Sequence, residues 1–480
     1  MFWFLDSLTS VLICFTVVFS PWAFGSQQTW AKNVMTVLGG LLGALWLSKC
    51  AVRRLAGNCP RRWTAHPDFT IRCLGFTSVL LLVYCLISAL NARATYLPEQ
   101  WEFQYQPAVL WLPHSYDADG SWAVFWQYLG LAGLFWSLRD WLLTMTPQEV
   151  WEQTAGDESA NRREPVSAGH YFLPARLRLL LWVLAVSGGL LAIQGILQRL
   201  GGSDKVLWLA KPEVVGANRF QLFGAFPYRG NASQYFNLLW PVILGFTWLE
   251  FNARKARSTD ARWFGLLVAS VFMAICPLIA ASRAGAGVLL LNLALAATVF
   301  WRATQKFDQR SKLTIPLVAG IILVVGLFLG WSALAPRLQT LSTDAQERAA
   351  LSQVGVEISA DNPIFGTGPG SLASIYQIYM HEWVDMRPDH LHNDWLETLD
   401  TFGWVGSILI LACLVLAVSH WFFGRGIPAG KCFVRLGWIS LAGCLVHACF
   451  DWPFECHSVL TLFLVIGAIL SCLSGRISLP

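Results

Sequence analysis

Charge is what this sequence has least of. Lys, Arg, Asp and Glu make up 13% of its 480 residues while hydrophobic residues make up 55%, against about 25% and about 45 to 50% in ordinary globular domains. A soluble surface on a chain this long needs more than 63 charged residues; a surface facing lipid does not. The deficit excludes disorder, a secreted disulfide scaffold and a nucleic-acid-binding domain. The net charge of +5 is small, so only the placement of the charges carries information. Cys-x-x-Cys pairs are missing as well: the twelve cysteines are scattered. Cys14, Cys73, Cys85, Cys276, Cys413, Cys444 and Cys472 lie in apolar runs and read as small buried hydrophobes. The first apolar run, Leu8 to Phe24, has no basic segment before it and carries Asp6 instead, which reads as a retained membrane helix rather than a signal peptide.

Apolar runs long enough to cross a bilayer, about 20 residues, fill most of the chain. Twelve are expected, near 8–24, 33–50, 73–90, 121–143, 177–199, 233–251, 263–281, 284–301, 314–334, 401–423, 433–451 and 458–474. Cytoplasmic loops hold the excess of Lys and Arg. With both termini inside, that side carries 23 basic residues and the other 11, so cytoplasmic termini are expected. The basic outside loop 200–232, with Lys205, Lys211, Arg219 and Arg229, breaks the pattern and calls for a reason.

Three polar segments are longer than turns. Residues 144–176 read as a cytoplasmic linker without chemistry. Residues 91–120 form an aromatic outside loop with Tyr96, Trp101, Phe103, Tyr105 and Trp111, suited to a membrane interface. The largest outside segment, 335–400, has helical spacing over Thr343 to Val356 and ends on Arg387, Pro388, Asp389, His390, Leu391, His392, Asn393, Asp394. Loops this long are usually functional or disordered. Two His and two Asp within six residues read as a solvated loop or as a site. His390, His392 and Asp394 partly match a metallo-hydrolase pattern, but residues two apart on a helix point apart, so no metal is expected.

The same segment, His392-Asn393, then nine residues, then Gly403-x-x-Gly406, resembles the signature of the O-antigen ligase family. That superfamily of membrane proteins includes O-antigen polymerases and bacterial protein O-oligosaccharyltransferases. Asp361-Asn-Pro-Ile-Phe-Gly-Thr-Gly-Pro-Gly370, Ala281-Ser-Arg-Ala-Gly285 and His447-x-x-x-Asp451-Trp-Pro453 are similar to three further family stretches, with Ala284 where Gly is usual. Arg219 to Gln234 resembles a fourth, in a register that leaves either Arg219 or Arg229 as the family's arginine. The likeness covers about 210–460; residues 1–200 match only as spans, and 201–480 form the expected catalytic membrane region.

The resemblance implies an all-α integral membrane protein, a GT-C-like bundle of about twelve helices in the bacterial inner membrane, with the periplasmic loop 335–400 between helices 9 and 10. It implies inverting, metal- and cofactor-independent glycan transfer from an undecaprenyl-pyrophosphate donor to an acceptor hydroxyl on a glycolipid, glycan or protein. Arg219, Arg229, Arg283 and Asn393 would bind substrate, since guanidinium groups hold phosphate bidentately. His392 would be the general base, because histidine titrates near neutrality and a following helix would disfavour its protonated form. Arg387, His390, His447 and Asp451 would support it, although His447 and Asp451, four apart on a helix, also fit a purely structural pair. Arg283 also fits a snorkelling residue. The glycine runs read as backbone turns and close helix contacts. Rival readings are a polymerase, a protein O-oligosaccharyltransferase, and a transporter, which would need charges inside its spans.

Overall fold

The computed structural model describes residues 1–56, 60, 62, 69–151, 173–211, 221–253, 262–303, 309–380, 390–423 and 430–474. A helix stands at each of the twelve expected span positions. These are α1 (Phe2–Trp22), α2 (Thr29–Ala56), α3 (Phe69–Leu90), α4 (Ala118–Leu143), α5 (Ala175–Leu200), α6 (Arg229–Ala253), α7 (Arg262–Ile279), α8 (Arg283–Ala303), α9 (Gln309–Gln339), then α12 (Asp394–Phe423), α13 (Lys431–His447) and α14 (His457–Ser474). Between α9 and α12 lie α10 (Leu341–Asp361) and the short α11 (Leu372–Tyr379). Eight of the helices are long and apolar enough to cross a membrane. Of the other four, α13 has 17 residues, whereas the 25 residues of α6 include a polar face of Asn231, Ser233, Gln234 and Asn237, all buried.

Helices dominate because each satisfies its own backbone hydrogen bonds where no water can. Their outward side chains, such as Val11, Phe76, Val79, Phe328 and Ile408, are exposed apolar groups suited to lipid. Packing between helices uses small residues: a Cβ on Gly39 of α2 would stand 2.2 Å from the carbonyl oxygen of Gly130 on α4, so the two backbones touch. The aromatic segment 91–120 holds structure that the sequence reading did not foresee, an antiparallel hairpin pairing Ala94–Leu97 with Glu102–Tyr105.

The two ends of the bundle differ in chemistry. At one end the start of α1, the ends of α2 and α4 and the start of α5 bring together Asp6, Lys49, Arg53, Asp140 and Arg176. Lys49 is fully buried there, 3.3 Å from Asp6 and 3.2 Å from Asp140. The opposite end collects the starts of α6, α8, α12 and α14 and the ends of α9 and α13. The helical expectation over Thr343 to Val356 is met by α10. Of the 144–176 linker, residues 152–172 lie outside the described residues.

Candidate functional site

The site is built around Asp451, just past the C-terminus of α13. Its amide donates to the His447 carbonyl at 3.0 Å, continuing the last turn of that helix. His392 reaches it from the other side. Leu391 is buried against Val354 and Ile358 of α10. The Asn393 side-chain oxygen accepts from the amides of Trp395 and Leu396, each at 3.2 Å, which makes Asn393 the N-cap of α12. Asp394 ties the helix start to the α13–α14 turn: its amide donates to the Ala448 carbonyl at 2.9 Å and its carboxylate accepts from the Phe454 amide at 2.8 Å. Between these anchors His392 takes a left-handed φ of +56°. Its Nδ1 lies 2.9 Å from Asp451 Oδ1.

Two further side chains complete the cluster. The Tyr228 hydroxyl donates to Asp451 at 3.0 and 3.2 Å. His447 Nε2 stands 3.7 Å from Asp451 Oδ2, and its Nδ1 is 2.6 Å from Gln234 Oε1 on α6. A Cβ on Gly230 would lie 2.4 Å from Asp451 Oδ2, so only glycine lets α6 come this close. Trp452 stacks on Tyr228, with ring centroids 4.8 Å apart, and on His390 at 4.4 Å.

Burial would raise the Asp451 pKa, but the hydrogen bond to His392 and the nearby His447 ring override it and hold the carboxyl below the usual carboxylate range. Tyr228 is pushed well above the ordinary phenol value, first by burial and then by the Asp451 charge, with Arg348 and Arg337 opposing. It therefore stays a neutral donor. The sequence reading gave the helix dipole as the influence on His392. The nearest charge is instead the Asp451 carboxylate, and the ring sits ahead of the helix rather than in it.

Arg283 opens α8 and donates to the Arg337 carbonyl at 2.8 Å and to the Asp344 carboxylate. Arg337 also reaches that carboxylate, at 3.4 Å. Arg348, one turn further along α10, donates to the Phe450 carbonyl at 2.5 Å, beside Asp451. Arg229 is buried in the first turn of α6, next to Tyr228 and Gly230, and its amide donates to the Gln221 carbonyl at 2.6 Å. Arg219 and Arg387 lie outside the described residues. Of the residues expected from sequence, His392, His447 and Asp451 are thus brought together directly. Arg283 stands apart from them, joined through Arg337 and α10. The side-chain oxygen of Asn393, expected on substrate, is occupied in capping a helix.

The glycines act through the backbone. At Gly403 the φ of +58° and ψ of −170° interrupt α12. The freed carbonyls of Asp400 and Thr401 accept from the amides of Thr367 and Gly368 at 2.8 and 3.0 Å, and the amides of Trp404 and Val405 donate to the carbonyls of Pro363 and Ile364 at 2.8 and 3.1 Å. The Gly366-x-Gly368-x-Gly370 turn is therefore docked into the helix break, and Tyr84 seals it by donating to the carbonyls of Phe365 and Phe402 at 2.7 and 2.8 Å.

The arrangement splits the His390, His392, Asp394 trio: His392 faces Asp451, Asp394 faces the Phe454 amide, and His390 Nδ1 lies 3.0 Å from Glu397. Among the described residues, His390, Glu397 and Glu455 could close on a cation, their ligand atoms lying within 4.8 Å of one another. The positive charge of Lys32 acts on both His390 and Glu455.

Sequence reasoning missed Tyr228, Arg337, Asp344, Arg348 and Trp452. Tyr228 and Trp452 are adjacent to residues it did name, Arg229 and Asp451. Asp344 and Arg348 fall in α10, and Arg337 in the last turn of α9, with no motif to mark them.

Residues 268–411, which run from α7 into α12 and include Arg283, the glycine turn and His392, match the family model described as O-antigen ligase. No curated protein matches the chain. With its array of apolar helices the chain is a multi-pass membrane protein, and its residues 268–411 are similar to the O-antigen ligase family.

Proposed function

We propose that the protein is a membrane glycosyltransferase that moves a glycan from an undecaprenyl-pyrophosphate carrier to an acceptor hydroxyl at the periplasmic face of the inner membrane. The observation that carries this reading is the 2.9 Å contact between His392 Nδ1 and Asp451, which leaves the other ring nitrogen of His392 for an acceptor. In the proposed step His392 Nε2 takes the hydroxyl proton as the acceptor oxygen attacks the anomeric carbon. The bond from that carbon to the pyrophosphate breaks, and its electron pair leaves with the phosphate oxygen, inverting the anomeric centre. Asp451 accepts from Nδ1–H and stabilises the imidazolium that forms. Tyr228 and His447 hold Asp451 in place. Guanidinium groups of Arg283, Arg337 and Arg229 stabilise the departing pyrophosphate in place of a divalent cation.

The test is transfer by purified protein in lipid, supplied with a polyprenyl-pyrophosphate-linked glycan and a hydroxyl acceptor. Product should form and should persist in EDTA. Loss of product in EDTA with recovery on added magnesium or manganese would defeat the arginine mechanism. Movement of the intact lipid-linked glycan across the bilayer, with no new glycosidic bond, would make the chain a transporter.

A further inference from the structure

Two guanidinium groups share one carboxylate beside the site. Arg283 and Arg337 both donate to Asp344 Oδ2, and the three side chains are 14%, 28% and 29% exposed, so an anion can reach them from solvent. Asp344 lies in the first turn of α10, where a carboxylate is favoured by the helix dipole. The first half of that helix has little else to hold it. From Leu341 to Ala350 only Asp344 and Arg348 are partly buried. Both turn inward through polar contacts alone, Asp344 to the arginine pair and Arg348 to the Phe450 carbonyl. The second half is anchored differently, by Val354 and Ile358 packed against Leu391.

We propose that Asp344 is the resident counter-ion of the Arg283–Arg337 pair and is exchanged for the pyrophosphate of the donor. The first half of α10 is then released as the donor seats. The inference rests on the glycosyltransferase reading above and names a positioning residue for it. The physical reason is one of charge and geometry. A single carboxylate neutralises half of the pair, while a pyrophosphate offers each guanidinium its own oxygens in a bidentate arrangement. Asp344 keeps the two arginines side by side when the donor is absent, and its competition means that a weakly charged anion does not displace it.

The experiment uses the full chain in lipid nanodiscs and inorganic pyrophosphate as the probe, with binding followed by calorimetry and amide exchange followed by mass spectrometry. Removing the competing charge in Asp344→Asn should tighten pyrophosphate binding about tenfold, Asp344→Glu should restore wild-type affinity, and adding Arg283→Gln to Asp344→Asn should abolish the gain. In the wild type, pyrophosphate should speed exchange over residues 341–350 and leave 354–358 protected. Equal affinity of wild type and Asp344→Asn would overturn the exchange while leaving the arginines as an anion site. Weaker binding in Asp344→Asn would make Asp344 purely structural and overturn it too. Absence of pyrophosphate binding in every variant would remove the phosphate-binding reading of the arginines as well. If Asp344→Asn does not fold, the wild-type exchange decides: no acceleration over 341–350 at saturating pyrophosphate contradicts the proposal.

Discussion

Asp451 accepts hydrogen bonds from Tyr228 and faces two histidines, with its carboxyl held below the ordinary range. A carboxyl with a lowered folded-state pKa stabilises the fold at every pH above its unfolded value, and this contribution is lost only as pH falls through the lowered one. Asp451 should therefore remain anionic across about pH 5 to 8, and any acid limb in a pH–rate profile should come from another group. Asp451→Asn keeps the shape and removes the charge. Turnover should fall on the order of 100-fold with donor affinity little changed, as measured by separate rate and binding assays. A wild-type rate would mean that the carboxylate only supports the fold. At this scale the sequence was half legible. His392, His447 and Asp451 could be named from the family resemblance, but their convergence could not, because it depends on Asn393 and Asp394 pinning one helix start against a turn some sixty residues away. Tyr228 carried no motif of its own.

Among the elements, α12 shows how a residue pattern can be readable while its cause is hidden. The nine-residue gap between Asn393 and Gly403 is the length of helix from the cap at Asn393 to the break at Gly403, where the glycine turn docks. A Cβ on Gly403 would stand 2.4 Å from the Gly366 amide nitrogen and 2.5 Å from the Ile364 carbonyl oxygen, at a φ that side chains rarely adopt. Gly403→Ala should thus cost about 2 kcal/mol or more, seen as a lower unfolding temperature in detergent. Unchanged stability would mean that the break is not required. The hairpin at Ala94–Leu97 and Glu102–Tyr105 was illegible for a different reason: strands of four residues are too short for alternation to stand out from an aromatic loop.

Across the whole molecule, two clusters of polar side chains sit at opposite ends of an apolar bundle. The twelve helix positions were legible because hydropathy is a long-range signal that local errors do not erase. The buried cluster of Asp6, Lys49, Asp140 and Arg176 was not, since each residue stands alone in its own run and only the folded bundle brings them together. Lys49→Met would leave two carboxylates short of a partner at a fully buried position and should destabilise the protein by about 3 kcal/mol, read from detergent unfolding. Transfer per folded molecule should remain, because the cluster lies at the end away from His392. The charge bias predicts sides for these ends: reporters fused after Gly230 and Ser374 should lie in the periplasm, and those after Arg257 and Gln309 in the cytoplasm. A cytoplasmic Ser374 would put the site on the side opposite to that proposed.

The central claim is that His392, poised by Asp451, is the general base, while its neighbour His390 belongs to the separate Glu397 pair. Single-turnover transfer by purified wild type, His392→Ala and His390→Ala, with donor bound to saturation, tests it most directly. His392→Ala should lose on the order of 100-fold or more in rate while still binding donor, and His390→Ala should keep a rate within a few-fold of wild type. Equal losses from both, recovered by added zinc, would contradict the account and give the two histidines a common metal.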